Sequence, residues 1–203
     1  MPTRMRNIAI DTILKTMQRK GYKVFDDNSK PFNLNVVGIR SEDLDTNTFN
    51  DALCVFWKYK FGWNIYTMPC TTDTGLHWLK HPLNERGTAI VVPDQYRGLW
   101  QLGKHKGEYD ALVQRGKIKV FRDNNKDDRL DMDGKTIEEG LFGINCHRAK
   151  DEGKSTVVGK WSAGCQVVQD DNDFEVFLSL CQHGAKEWGN SFTYTLLTEQ
   201  DLA

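Results

Sequence analysis

Apolar residues Met5, Ile8, Ile13 and Met17 fall near one face of a helical wheel, and Gly21 follows as a natural stop, so residues 3–20 are expected to form an amphipathic helix. A charged, turn-rich stretch at 26–31 leads into a short strand at 35–39. From Phe49 the period becomes two. Leu53, Val55, Trp57 and Tyr59 alternate, Gly62 turns the chain, and Trp63, Ile65 and Thr67 alternate back, which predicts a β-hairpin. Further strands are expected at 88–92, 99–103 and 117–122, with one or two helical turns at 108–114 before the last of them. An apolar run at 142–147 reads as a strand ending on His147. Phe174, Phe177, Leu178, Cys181, Ala185 and Trp188 return to helical spacing, with Asp171 or Asn172 as the cap and Gly189 as the stop. Residues 192–197 alternate as a closing strand. The expected class is mainly β with packed helices (α+β): an N-terminal helix-and-strand appendage over 1–48 and a main domain over 49–203.

A chain of 203 residues suffices for one well-buried domain with an appendage. Mean hydropathy is −0.58, as in an ordinary globular protein. The 27 basic and 28 acidic residues nearly cancel, so no basic face is expected for nucleic acid. No run of 18 apolar residues is present, and no membrane span is expected. The five cysteines are odd in number, which argues against a disulfide framework and leaves at least one thiol free.

The chemistry concentrates in residues 142–168. His147 closes the apolar run, and Cys165 follows 18 positions later, behind Ser162, Ala163 and Gly164. A thiol with a free pKa of about 8.5 becomes a strong nucleophile when an imidazole takes its proton. Gly164 allows a tight turn and close backbone approach. The amides of Gly164 and Cys165 could then face the oxyanion of an acyl-transfer intermediate. Cys165 is therefore read as nucleophile and His147 as its base, with Ser162 holding the turn or the ring, and a backbone carbonyl or Asn145 orienting the imidazole.

This segment resembles the signature of the L,D-transpeptidase catalytic domain (YkuD type), a strand ending in Gly-Ile-x-His followed by a short excursion and Ser-His-Gly-Cys. Gly143, Ile144 and His147 stand for the first element; Ser162, Gly164 and Cys165 stand for the second. Ala163 occupies the place of the family's second histidine, Val167 that of its arginine, and Asn145 and Cys146 lengthen the step to His147. Pro93, Gly98 and Trp100 are similar to the Thr-Pro-x-Gly-x-Phe element that precedes the catalytic motif in such domains. Residues 68–203 also resemble proteins of phage and bacterial genomes that share the runs TTDxG, QYR, HKG, ALVQ, RDxNxD and WSAGCQV.

The resemblance implies an L,D-transpeptidase-like β-sandwich or mixed-sheet catalytic domain. It implies cysteine attack on a peptidoglycan stem peptide, forming a thioester at an L-residue that precedes a D-residue, with transfer to water or to an amine. Arg148, Trp161, Gln166, Tyr96 and Arg97 are the candidate substrate contacts, the last two near a turn that, with His105, could close over the cysteine. No metal or organic cofactor is implied. The apolar run at 8–10 is too short for a secretory core, so the protein is expected to be made in the cytosol without a signal peptide. It would reach the wall after lysis or as part of a particle, with phage-particle or lysis-system partners, which favours cleavage over cross-linking. The rival readings are a cross-linking enzyme and an inert structural or wall-binding module of a phage particle. A papain-like hydrolase is disfavoured because its cysteine precedes its histidine.

Two other constellations are weaker. The run at 123–131 has acids at alternate positions but places Asp128 and Gly134 where a calcium loop needs glycine and glutamate. Cys146, His147, Cys165, Cys181 and His183 lack the paired spacing of a zinc site. Cys181 is expected in the core.

Overall fold

The computed structural model describes residues 7–203. Helix α1 covers Ile10–Arg19; Met5 and the start of the expected helix lie outside the described residues. Strands β1 (Asn35–Arg40), β2 (Asp51–Tyr59) and β3 (Gly62–Thr71) follow, then the short helix α2 (Leu76–Lys80). Next come β4 (Thr88–Val91), β5 (Gln95–His105), β6 (Tyr109–Gln114), β7 (Ile118–Asp123), β8 (Glu138–Gly140), β9 (Cys146–Arg148) and β10 (Gln166–Val168). Helix α3 (Asp171–Trp188), β11 (Phe192–Thr198) and a 3-10 turn at Glu199–Leu202 complete the chain. The class is mainly β with packed helices, and eight strands close on themselves in the order β1-β11-β5-β6-β9-β10-β3-β2 while β4, β7 and β8 form a separate small sheet.

The closure explains the reading frame of the strands. β2 and β3 pair along their whole length, with Tyr59 opposite Gly62 at the turn. In β1 and β2 both faces are covered. Val36, Leu53 and Val55 meet the main core with Met68, Trp100 and Tyr194. Val37, Ile39, Cys54 and Phe56 face outward against Ile13 and Met17 of α1. An amphipathic helix laid on a barrel wall thus hides what would otherwise be an exposed apolar stripe. The segment expected as an appendage, 1–48, accordingly supplies β1, which pairs in parallel with β11 and antiparallel with β2.

Three local expectations are corrected. Within the stretch 108–114, Tyr109–Gln114 form strand β6, not helical turns, because they pair with β5 from Trp100↔Gln114 to His105↔Tyr109. The strand expected at 142–147 is confined to Cys146–Arg148. The backbone before it is irregular, with Gly143 at φ 74° and the Phe142 and Ile144 amides both donating to Gln114 Oε1. Helix α3 is capped one residue earlier than expected, by Asp170, whose carboxylate accepts from the Asn172 amide at 3.1 Å. Its end at Gly189, φ 94°, is as the sequence suggested. Phe174, Phe177 and Cys181 point from this helix into the main core.

Gly38 lies in the barrel wall, and a Cβ there would overlap the Tyr194 hydroxyl. Gly62 faces open space. Gly38→Ala should therefore lower the urea midpoint by an amount equivalent to about 1–3 kcal/mol, the usual cost of overpacking, while Gly62→Ala should change it by less than about 0.5 kcal/mol.

Candidate active site

The turn that carries Cys165 is clamped from below. Gly164 has φ 117°, and a Cβ there would sit 2.8 Å from the Ala89 carbonyl oxygen, so glycine is required twice over. Ser162 is fully buried. Its hydroxyl lies 2.7 Å from Asp73 O and 2.8 Å from Cys165 O, and it accepts from the Gly164 amide at 3.2 Å. The Gly75 amide donates to Ser162 O at 2.8 Å. The segment around Asp73 is thus the floor of the turn.

That floor is held by buried charge. Arg40 Nε lies 2.7 Å from Asp73 Oδ1, an ion pair without the angle of a hydrogen bond, which leaves that oxygen without a donor. The guanidinium also donates to Val91 O at 3.0 Å and Thr72 O at 3.1 Å. Asp51 accepts from the Ser41 amide at 2.8 Å, the Thr72 amide at 2.6 Å and the Thr72 hydroxyl at 2.9 Å. Burial first, then the neighbouring Asp73, pushes Asp51 up to about 7 in spite of these donors.

Cys165 is the only one of the five cysteines that is not buried. Its thiol donates to Gly143 O at 3.4 Å, and the sulfur accepts from the Asn145 amide at 3.5 Å. Burial raises its pKa, opposed by the Asn145 amide and by Lys106. At rest it is a protonated thiol.

His147 stands on the neighbouring strand. β9 and β10 are parallel, with Val167 opposite His147 and Gln166 opposite Cys146. Because side chains alternate, Asn145, His147, Cys165 and Val167 share one face of the sheet. Cys146 and Val168 turn to the core on the other. His147 is only 3 % exposed. Its Nδ1 lies 2.8 Å from Arg148 O and 3.3 Å from the Tyr109 hydroxyl. A carbonyl can only accept, so Nδ1 carries the proton and Nε2 the lone pair. Burial and the adjacent His105 lower the imidazole to about 3, so it is neutral. Among the described residues no hydrogen bond joins it to the Cys165 sulfur: the direct contact expected between base and nucleophile is absent at rest, with the thiol proton held by Gly143 instead.

A cavity of about 600 Å³ opens beside the thiol. Cys165, Asn145, His105, Trp78, Arg122 and Phe142 are among its walls, and Ala163 also borders it. His147 lies behind His105, whose ring stacks on it at 4.0 Å between centroids.

The other expected contacts are placed as follows. Arg148 is tied to Asp171 at 3.0 Å, to Asp151, and over the Tyr109 ring at 4.5 Å. Gln166 is buried, accepting from the Tyr194 hydroxyl and donating to Gly164 O at 3.3 Å, so it braces the turn from the core side. Tyr96 is buried with its hydroxyl on Val92 O at 2.6 Å. Arg97 stacks over Phe25 at 5.4 Å, and Trp161 is 44 % exposed. None of these five borders the cavity. Of the two groups expected to orient the imidazole, a backbone carbonyl does so, that of Arg148, while the Asn145 side chain binds His105. Tyr109 and the Gln114 side chain were missed; both belong to the stretch read as helical turns, where the alternating Tyr109, Ala111 and Val113 were the available signal. No group of three or more His, Cys, Asp or Glu among the described residues is arranged to hold a metal ion.

No family model matches the chain, and no curated protein or solved structure matches it either.

Two outcomes follow. Iodoacetamide should modify Cys165 first among the five thiols, and the rate should keep rising between pH 7 and 9 without a plateau near neutrality, because the thiol is raised; mass mapping of peptides reads both. The folded state holds a proton on Asp51 that the unfolded chain releases above about pH 4. Its contribution to stability is full below that and fades as pH rises towards 7. Melting temperature should therefore fall over this window, and Asp51→Asn should flatten the slope while lowering stability throughout.

Proposed function

We propose that the chain is a cysteine acyl-transfer enzyme of the L,D-transpeptidase type that acts on peptidoglycan stem peptides. The observation that carries this reading is the conjunction at the cavity. The one accessible thiol of the protein sits on a turn that only glycine fits, and the adjacent strand holds a neutral imidazole whose Nδ1 proton is fixed on a backbone carbonyl. That leaves Nε2 as the basic atom, the tautomer a general base needs. The orienting group is a main-chain oxygen, so no third side chain is required.

In the proposed reaction the Cys165 sulfur attacks the carbonyl of an L-residue that precedes a D-residue. The S–C bond forms, the thiol proton passes to His147 Nε2, and the same proton goes to the amine as the C–N bond breaks. The Cys165 amide, which has no partner among the described residues, is the available backbone donor for the oxyanion; the Gly164 amide is already taken by Ser162. Contacts between nucleophile and base commonly lengthen without substrate and tighten when it binds. Transfer of the thiol proton from Gly143 O to His147 is that tightening. We assign water as the acceptor, since the open cavity admits it to the thioester without a second peptide.

A second reading is an inert wall-binding module of a phage particle, favoured by the thiol's hydrogen bond to Gly143 O and its raised pKa. The two diverge on purified sacculi. The wild type should release peptides whose masses report cleavage at an L,D bond, and Cys165→Ala should release none while melting within a few degrees of the wild type. Sacculi bound intact by the wild type would support the inert module. His147→Gln should slow release by a factor of about 10²–10⁴, the range ascribed to a general base.

A further inference from the structure

The β5–β6 hairpin ends at the pair His105↔Tyr109, with Lys106 at φ 51° and Gly107 at φ 78° forming the turn. This bend brings His105 to the cavity wall beside Cys165, forty residues before Asn145 in the chain. The state of its ring follows from its neighbours. The Gln114 amide, which can only donate, lies 2.9 Å from Asn145 Oδ1. The Asn145 amide nitrogen must therefore face His105, and it donates to His105 Nδ1 at 3.1 Å. With Nδ1 accepting, the proton of the neutral ring sits on Nε2. Burial and Lys106 keep that ring neutral. The two stacked imidazoles are thus in opposite tautomers: Nε2 accepts on His147 and donates on His105.

We propose that His105 is the side-chain donor of the oxyanion site, placing its Nε2–H on the carbonyl oxygen of the substrate as Cys165 attacks. The inference deepens the acyl-transfer reading and rests on it. The S–C bond forms, the carbonyl π electrons move onto oxygen, and the thiol proton goes to His147, while His105 keeps its own proton throughout. Its hydrogen bond joins that of the Cys165 amide, and Ala163 leaves the space beside the thiol free for it. A neutral imidazole is suited to the task, since it polarises a carbonyl without giving up its proton.

The test compares two reagents at Cys165. p-Nitrophenyl acetate is attacked at a carbonyl and develops an oxyanion; iodoacetamide is attacked at its methylene carbon, losing iodide as the sulfur is alkylated, and develops none. His105→Ala should slow acetylation of Cys165 about 100-fold, as expected for loss of one such donor, and leave alkylation within about twofold. His105→Gln, which keeps a side-chain N–H, should recover part of the acetylation rate. Unchanged acetylation, or parallel losses with both reagents, would overturn the role while leaving the acyl-transfer reading in place. A wild type that is alkylated but never acetylated at Cys165 would overturn both. Should the alanine variant not fold, ¹⁵N resonances of the wild-type imidazoles decide: an Nε2–H tautomer at His105 is expected, and an Nδ1–H tautomer excludes the donor.

Discussion

The candidate site depends on the parallel pairing of β9 with β10. Two strands of three residues each are joined by a crossover of 17 residues, and their alignment sets His147 opposite Val167. A slip of one residue would turn Cys165 into the main core and bring Gln166 to the face that now carries the thiol. The register is pinned on the core side by Cys146 and Val168 and by Gln166, whose amide binds both Tyr194 and the turn. Parallel strands need long connections, and here the connection returns as the glycine turn that presents the sulfur.

Beneath that turn, rigidity comes from charge rather than from apolar packing. Arg40 sits in β1, Asp51 begins β2, and Asp73 follows β3, so the cluster ties three barrel segments together before it reaches Ser162. Removing one partner of such a buried group leaves an uncompensated charge, a loss of about 3–5 kcal/mol in comparable cases. The turn that carries Cys165 is thus held by the same bonds that hold the end of the barrel.

How much of this could be read from the sequence varied with the range of the interaction. Helix α3 was legible because Phe174, Phe177 and Cys181 repeat at helical spacing and Gly189 ends it. The β2–β3 hairpin was legible because alternation on both sides of Gly62 is local. Strand β6 was not, although Tyr109, Ala111 and Val113 alternate, since so short a run decides little until its pairing with β5 is seen. Gly164 and Ser162 carry a local turn signal, and the structure adds what they bind. The Arg40–Asp51–Asp73 cluster has no spacing that announces it, because each member looks like an ordinary surface charge until the barrel closes. The tautomers of His105 and His147 depend on the Gln114 amide and the Arg148 carbonyl, groups that every sequence has and none reveals.

Closure of the barrel has a colloidal consequence. Nine of the eleven strands, the eight of the barrel and β7, have neighbours on both sides, so free sheet edges among the described residues are confined to β4 and β8. These are four and three residues long. Edges so short offer little template for a passing chain. The fold can therefore be concentrated with few routes to strand-by-strand self-association.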